Sequence, residues 1–561
     1  MNSCIQCKAD FVISEQDKQF YQKMDVPEPV LCMYCRREHL FVWRNQRNLY
    51  SRKCDKTGKQ IISVFSPNSP YVVYDRDTWW GDGWDPLAYG QEFDFSKNFA
   101  EQYDALLHRV PMVGIFNGNC ENSQYCNHVG EMKDCYLAFA SWTSRKVLYG
   151  DNVWDDDTCA DMLETASCSG CYELIQSTNC FNTKHSMNVE RCNDSWFLFD
   201  CKDCTDCIAC TNLRNKQYHI FNVPYSREEY GQKKQAHNLD TRSGIEQTKK
   251  QFQEMKKNAI HRFANLIKCE DSTGDNLVGA KNSHDCFTLR ENIVDSAYCI
   301  NGGSTMIDVY DGYGVGAQLE RGYYCVDSGV QGGDLIFGVV VWGCQYAYYN
   351  YNCHACFEII GCTGLRNKKY CILNKQYSQE EYEALKPRVI EHMRKTGEWG
   401  HPLPPLLSPF GHNETLAYEY TPRTKEECLA LGFKWQDTLP GSFGKETKNP
   451  EDLPETISEI PDSIAKEILA CKQCAKNYKI ITQELQFYRS KNIPIPLFCP
   501  QCRYDARRAL RNPHQLWRRQ CMCNRAGHEH TGRCPIEFET TYSPNRPENV
   551  FCEACYRNEV V

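Results

Sequence analysis

The sequence predicts a mainly β protein: a central parallel β-helix, a solenoid in two duplicated halves, flanked by N- and C-terminal zinc ribbons with short helices. Three observations predict it. A module is carried twice: Cys4-x2-Cys7, a 24-residue spacer and Cys32-x2-Cys35 return as Cys471-x2-Cys474, 24 residues and Cys499-x2-Cys502. One offset of 467 aligns residues 4–54 with 471–521, identical at 18 of 51 positions. Inside the middle, CTNLRNKQYHIFNVPYSREEY (210–230) matches CTGLRNKKYCILNKQYSQEEY (362–382) at 14 of 21 positions. Upstream of it, Cys192, Cys201 and Cys204 align with Cys344, Cys353 and Cys356. Finally, short units such as LysAspCysTyr (133–136), SerGlyCysTyr (169–172) and HisAlaCysPhe (354–357) recur between Asn, Asp and Gly turns. Such β-type runs, on a period near 20 with some intervals of 24, predict stacked parallel rungs with Cys and Ser inside and aromatics at the corners. A β-sandwich is the rival architecture, but it requires antiparallel hairpin signals that the sequence lacks.

A chain of 561 residues is too long for one core, and implies about three or four domains. Its 36 cysteines suggest a secreted disulfide scaffold, yet the start, MNSCIQCKADFV, has no basic segment before an apolar stretch. No window approaches the roughly 18 apolar residues of a membrane span; the longest, Leu335 to Trp342, is of strand length. The expectation is a soluble, cytoplasmic protein with reduced thiols, some holding metal and many buried as small hydrophobes. Net charge is −8, but residues 1–60 carry +4 and residues 471–561 carry +7, leaving −19 for the rest. Basic ends flanking an acidic middle attract a polyanion to the ends.

In chain order, residues 1–60 form the first Cys4 zinc ribbon and 61–117 an aromatic and acidic cap. Residues 118–265 and 269–396 are the two solenoid halves, ending in amphipathic helices at 226–262 and 378–396 that could cover open sheet edges. The Pro- and Gly-rich stretch 397–470 is an extended connector, and 471–561 a C-terminal double zinc module.

Two Cys pairs on tight turns suit a tetrahedral zinc ion, so Cys4, Cys7, Cys32 and Cys35 form one site and Cys471, Cys474, Cys499 and Cys502 another. A third takes Cys552 and Cys555 with ligands from Cys521, Cys523 and Cys534; His528 and His530 are further candidates, at least one of these residues being left over. This gives about three Zn2+ ions. In the N-terminal copy Asp75 and Thr78 stand in the places of Cys552 and Cys555, so its second ion is lost. Basic segments follow each ribbon: Arg36, Arg37 and Arg44 in the first, Arg503, Arg507, Arg508 and Arg511 in the second. Arg503, Arg507 and Arg511 share one helix face, suited to phosphates or, equally, to pairing with the acidic middle. Cys201, Cys204, Cys207 and Cys210 are evenly spaced, but an iron–sulfur cluster is disfavoured there, because Ile359 replaces the third Cys in the sister half. The run TyrAspArgAspThrTrpTrpGlyAspGlyTrpAsp (74–85) mixes Asp75, Asp77, Asp82 and Asp85 with tryptophans, as a carbohydrate site or a hydrophobic cap would.

GlyCysThrGlyLeuArgAsnLysLysTyrCysIleLeuAsnLysGlnTyr (361–377), SerProPheGlyHisAsnGluThr (408–415), GluIleProAspSerIle (459–464) and TyrSerProAsnArgProGluAsnValPheCysGluAlaCysTyr (542–556) carry a resemblance over nearly the whole length. The chain resembles an uncharacterised family of Cys-rich, zinc-ribbon proteins predicted from genomes of ultra-small bacteria, a family with no established activity. The resemblance implies a cytoplasmic bacterial setting and zinc on Cys4, Cys7, Cys32, Cys35, Cys471, Cys474, Cys499, Cys502, Cys552 and Cys555. The expected function is a zinc-stabilised scaffold whose basic ribbons contact nucleic acid or a ribonucleoprotein while the solenoid meets protein partners. The alternatives are a purely protein–protein scaffold with its basic ends docked on its acidic middle, or a carbohydrate-active or redox enzyme.

Overall fold

The computed structural model describes residues 2–560, which divide into two compact units. One joins Met1–Phe116 with Leu266–Pro440, the other Asn117–Asn265 with Gly441–Val561. Each unit thus combines one tetra-Cys module with the sheet that is distant from it in sequence.

The second unit is built on a parallel sheet whose strands, from Asp151–Trp154 to Gln217–Ile220, lie side by side in chain order. Partners are 12 residues apart: Leu163 with Ile175, Lys184 with Trp196, Thr205 with Gln217. Isolated parallel bridges carry that register back through Tyr136↔Leu148 to Glu121↔Lys133. The local unit is a triplet. Lys133, Tyr136, Phe139 and Trp142 each bridge to the residue 12 further on. The next residue of each triplet turns left-handed, as Asp134 (φ 55°), Leu137 (49°) and Ala140 (49°) do. The third is buried, as Cys135, Ala138 and Ser141 are.

A left-handed residue without glycine costs of order 1 kcal/mol, and hydrogen bonding to both neighbouring repeats offsets that cost. Leu137 N donates backward to Gln124 O (3.1 Å), while Tyr136 N donates forward to Val147 O (3.0 Å). Asn and Asp tolerate this conformation best, and they stack there: Asn122 donates to Asp134 at 2.7 Å and Asn182 to Asp194 at 2.6 Å. Exposed opposite charges pair in the same register, as in Arg145–Asp157 and Arg191–Asp203.

The first unit repeats this with strands from Gly274–Lys281 to Lys369–Ile372. Its register is 12 at Gly274↔Cys286, 13 at Phe287↔Ile300 and Met306↔Leu319, and 12 again at Leu335↔Ala347. The extra residue enters at a bulge between Val278 and Ala280. Gly303, Gly316 and Gly329 bridge to one another with φ of 142°, 139° and 131°. A Cβ on Gly316 would lie 1.9 Å from the Gly303 carbonyl oxygen, so this column admits only glycine. The repeat is therefore 11 to 13 residues, not near 20, and the 24-residue sequence intervals span two repeats.

The duplicated 21-residue motif closes each sheet. Gln217–Ile220 pairs antiparallel with Val223–Pro224, and Lys369–Ile372 with Lys375–Gln376. Asn222 and Asn374 accept from the Thr211 and Thr363 amides at 3.0 and 2.8 Å. Ser226 and Ser378 then cap the helices Arg227–Ala236 and Gln379–Lys395, each in a capping box with Glu229 or Glu381. The connector is shared. Ser408 donates to Val42 O (2.7 Å) and Tyr50 to Glu414 (2.7 Å) in the first unit, while Leu453, Ile457, Ile460 and Ile464 enter a core of the second.

Candidate metal centres and arginine docking faces

Each tetra-Cys module presents its first pair on a hairpin knuckle. Lys8 and Ala475 follow the second Cys with φ of 61° and 59°, and each donates to the carbonyl of the first Cys at 2.9 Å. The second pair starts a helix: Cys32 directly precedes Met33–Phe41, and Cys499 caps Pro500–Leu510, its sulfur accepting from the Cys502 amide. The four ligand sulfurs of each module lie within 4.8 Å of one another. Cys7 and Cys32 sulfurs are 3.6 Å apart, Cys474 and Cys499 sulfurs 3.7 Å. A tetrahedron with metal–sulfur bonds of about 2.3 Å has edges of about 3.8 Å, so both sets fit a tetrahedral ion. Burial acts to raise the Cys471 thiol, but the amides of Cys499, Cys474 and Gln473 outweigh it and bring it down to about 7; the Cys499 amide reaches that sulfur at 3.2 Å. The hydrogen bond from Cys35 is the foremost cause that lowers Cys32 to about 5, and the same contact raises Cys35. Thiolates are what a metal binds.

The C-terminal module assembles two further groups. Cys521, Cys534, Cys552 and Cys555 meet within 4.8 Å, with Cys534 and Cys552 sulfurs 3.9 Å apart. Cys523, expected in this set, belongs instead to a group with His528, His530 and Cys555. In the N-terminal copy the Asp75 amide donates to Cys54 Sγ at 3.3 Å, as the Cys552 amide does to Cys521 Sγ at 3.3 Å. There the Asp75 carboxylate accepts from the Thr78 amide (3.0 Å) and hydroxyl (2.7 Å). Among the described residues, no second ligand group forms beside Cys54.

The arginines face inward. Arg36 pairs with Asp311 at 2.8 Å and lies over Tyr298, 4.9 Å from the ring centre. Its counterpart Arg503 pairs with Asp161 at 2.9 Å and lies 4.4 Å over Tyr149. The same tyrosines donate back to the modules, Tyr298 to Asp17 (3.1 Å) and Tyr149 to Glu484 (2.6 Å). Gln16 donates to Asn282 O and Gln483 to Asp134 O, at 3.0 and 2.7 Å. Arg44 is 3.8 Å from Asp327, and Arg511 pairs with Glu164. Positions 16, 17, 36 and 44 correspond to 483, 484, 503 and 511 at the offset of 467, so both modules dock on their sheets by one set of contacts. Burial acts against the Arg36 and Arg503 charges, but Asp311 and Asp161 outweigh it and hold both strongly protonated. Arg507 joins Asp161 at 2.7 Å, Arg37 is buried and lowered by desolvation, and Arg508 is half-buried.

Cys201, Cys204, Cys207 and Cys210 are the buried members of four successive triplets. Their thiols donate to backbone carbonyls, Cys201 to Phe199 O (3.5 Å) and Cys207 to Thr205 O (3.4 Å), and burial pushes the Cys201 thiol well up. The even spacing has a packing cause. In the tryptophan-rich run, Trp79 is buried and donates to Pro111 O at 2.9 Å. Asp75 and Asp85 cap short helices, and Arg366 lies over the rings of Trp79, Trp80 and Trp84. Among the described residues, no helix is long and apolar enough to cross a membrane.

No protein-family model and no curated protein matches the chain. One solved structure, from Desulfovibrio desulfuricans G20 and described as a "putative acetyltransferase", is similar at 8% identity over 48% of this chain and 69% of that one. Its TM-score of 0.11 is too low to carry an argument about fold or activity.

Proposed function

We propose that this protein is a zinc-stapled binding scaffold in which the basic ribbons are docking elements for its own acidic parallel sheets. The observation that carries the reading is the duplicated pair Arg36–Asp311 and Arg503–Asp161, buried at both modules. The arginines suited by sequence to position phosphates are engaged by carboxylates, and this favours internal docking over nucleic-acid contact. Zinc is favoured by four sulfurs at tetrahedral separations, and four thiolates leave no open position for chemistry on the ion, so its role here is structural. The 12-residue register with a turn at every third residue favours a four-sided coil, a β-solenoid with Cys and Ser in its interior. The outer ladders of such a coil are then the surfaces available to protein partners.

The test is fluorescence anisotropy of the full chain against single-stranded RNA and duplex DNA over a salt series. No binding at low salt is the expected result. Binding with a steep negative salt slope would restore the nucleic-acid reading.

A further inference from the structure

Cys555 belongs to two ligand groups at once. Its sulfur lies within 4.8 Å of the sulfurs of Cys521, Cys534 and Cys552, and within 4.8 Å of ligand atoms of Cys523, His528 and His530. Two separate tetrahedra need eight donors; two that share a corner need seven, and seven are present. We propose that the C-terminal module holds two metal ions bridged by the Cys555 thiolate, one in an all-sulfur set and one in a two-sulfur, two-nitrogen set.

The histidine rings are oriented for this. His528 Nδ1 lies 3.3 Å from Cys523 Sγ, and its Nε2 is 3.1 Å from the Glu559 carboxylate. His530 Nε2 lies 3.3 Å from Cys555 Sγ, and its Nδ1 is 2.9 Å from the Gly532 carbonyl. A carboxylate and a carbonyl only accept, so in the neutral imidazole the proton sits on the outer nitrogen and a lone pair faces the sulfurs. This is how metal-bound imidazoles are held. A metal–nitrogen bond of about 2.05 Å beside a metal–sulfur bond of about 2.3 Å sets the N···S edge near 3.6 Å, close to both observed values. Mixed sulfur–nitrogen tetrahedra suit zinc. Sharing one thiolate also lowers the negative charge gathered per ion, which favours two ions in so small a volume.

The inference rests on the zinc reading of the all-cysteine groups, and metal counting separates the two. Native mass spectrometry of the full chain, purified with zinc, is expected to show four ions. The double variant His528→Ala, His530→Ala is expected to show three, with its thermal unfolding otherwise kept. The cadmium-113 form adds a second readout: a spin coupling between two cadmium resonances, transmitted through the shared sulfur, that the double variant loses. Three ions in both proteins, with no coupling, would overturn the second ion while leaving the zinc reading intact. No zinc at the all-cysteine groups would remove the reading itself.

Discussion

Arg503 and Asp161 lie 2.9 Å apart with side chains only 3% and 0% exposed, and Arg507 approaches the other oxygen of the same carboxylate at 2.7 Å. Two guanidinium groups converge on one buried anion. Removing the anion leaves buried Arg507 without its carboxylate and Arg503 with only Glu484 at 3.3 Å and the Tyr488 hydroxyl at 2.7 Å, which costs far more than the intact pair contributes. Asp161→Ala is therefore expected to lower stability in urea unfolding by about 3–5 kcal/mol. Adding Arg507→Met, which keeps Arg503 on Glu484, should restore part of it, and a loss below about 1 kcal/mol would mean that these charges are solvated.

Metal removal should act on the modules first. Structural zinc in small Cys-rich folds contributes of order 10 kcal/mol of apparent folding free energy. A strong chelator is expected to melt the tetra-Cys modules, read as faster amide exchange at Cys4–Cys35 and Cys471–Cys502, while the parallel sheets keep their protection. Unchanged exchange in the modules after metal release would contradict a structural role for the ion.

The interior cysteines should behave as packing residues. Cys207 lies 12 residues after Ser195, whose hydroxyl accepts the Cys207 amide at 3.0 Å. Serine already occupies this inward column, so Cys207→Ser should cost no more than about 2 kcal/mol and leave metal content unchanged. Cys474→Ser should lose one ion. Loss of metal from the Cys207 variant would reopen a cluster at Cys201–Cys210.

Acid sensitivity should map to buried histidines. Burial lowers His261 to about 4 and His354 to about 3, from 6.5. The unfolded chain binds these protons more readily, so stability is complete above about pH 6.5 and falls as pH drops toward the folded values. His261 alone accounts for up to about 3 kcal/mol at the acid end. Urea midpoints at pH 7.5 and pH 5 should diverge less in His261→Gln than in the unchanged protein; equal divergence would show that His261 is not the titrating group.

The metal groups were legible because each needs only a local signature: two sulfurs on a knuckle and two at a helix start, each pair fixed by its own turn. The kinship of the two copies was legible too, since Asp75 and Thr78 stand where Cys552 and Cys555 do, and Asp75 reproduces the amide bond to Cys54. The repeat length was not. Cys168, Cys171, Cys180, Cys192 and Cys201 are separated by multiples of three, yet strand and helix patterns have periods of 2 and 3.6, and neither detects a triplet. Cys523 and Cys534 could not be sorted either, because a ligand set depends on how a loop folds back and not on spacing.

By itself the sequence determined the two duplications, the Cys pairs and the charge asymmetry between the ends and the middle, all of them properties of residue identity and spacing that need no knowledge of what touches what. Only the tertiary structure decided what the arginines face. A basic helix face reads the same whether it meets water, a phosphate or a carboxylate. Arg36 meets Asp311 across 275 residues of chain, and it is the exclusion of water from that contact, invisible to local pattern, that turns a surface charge into a buried tether.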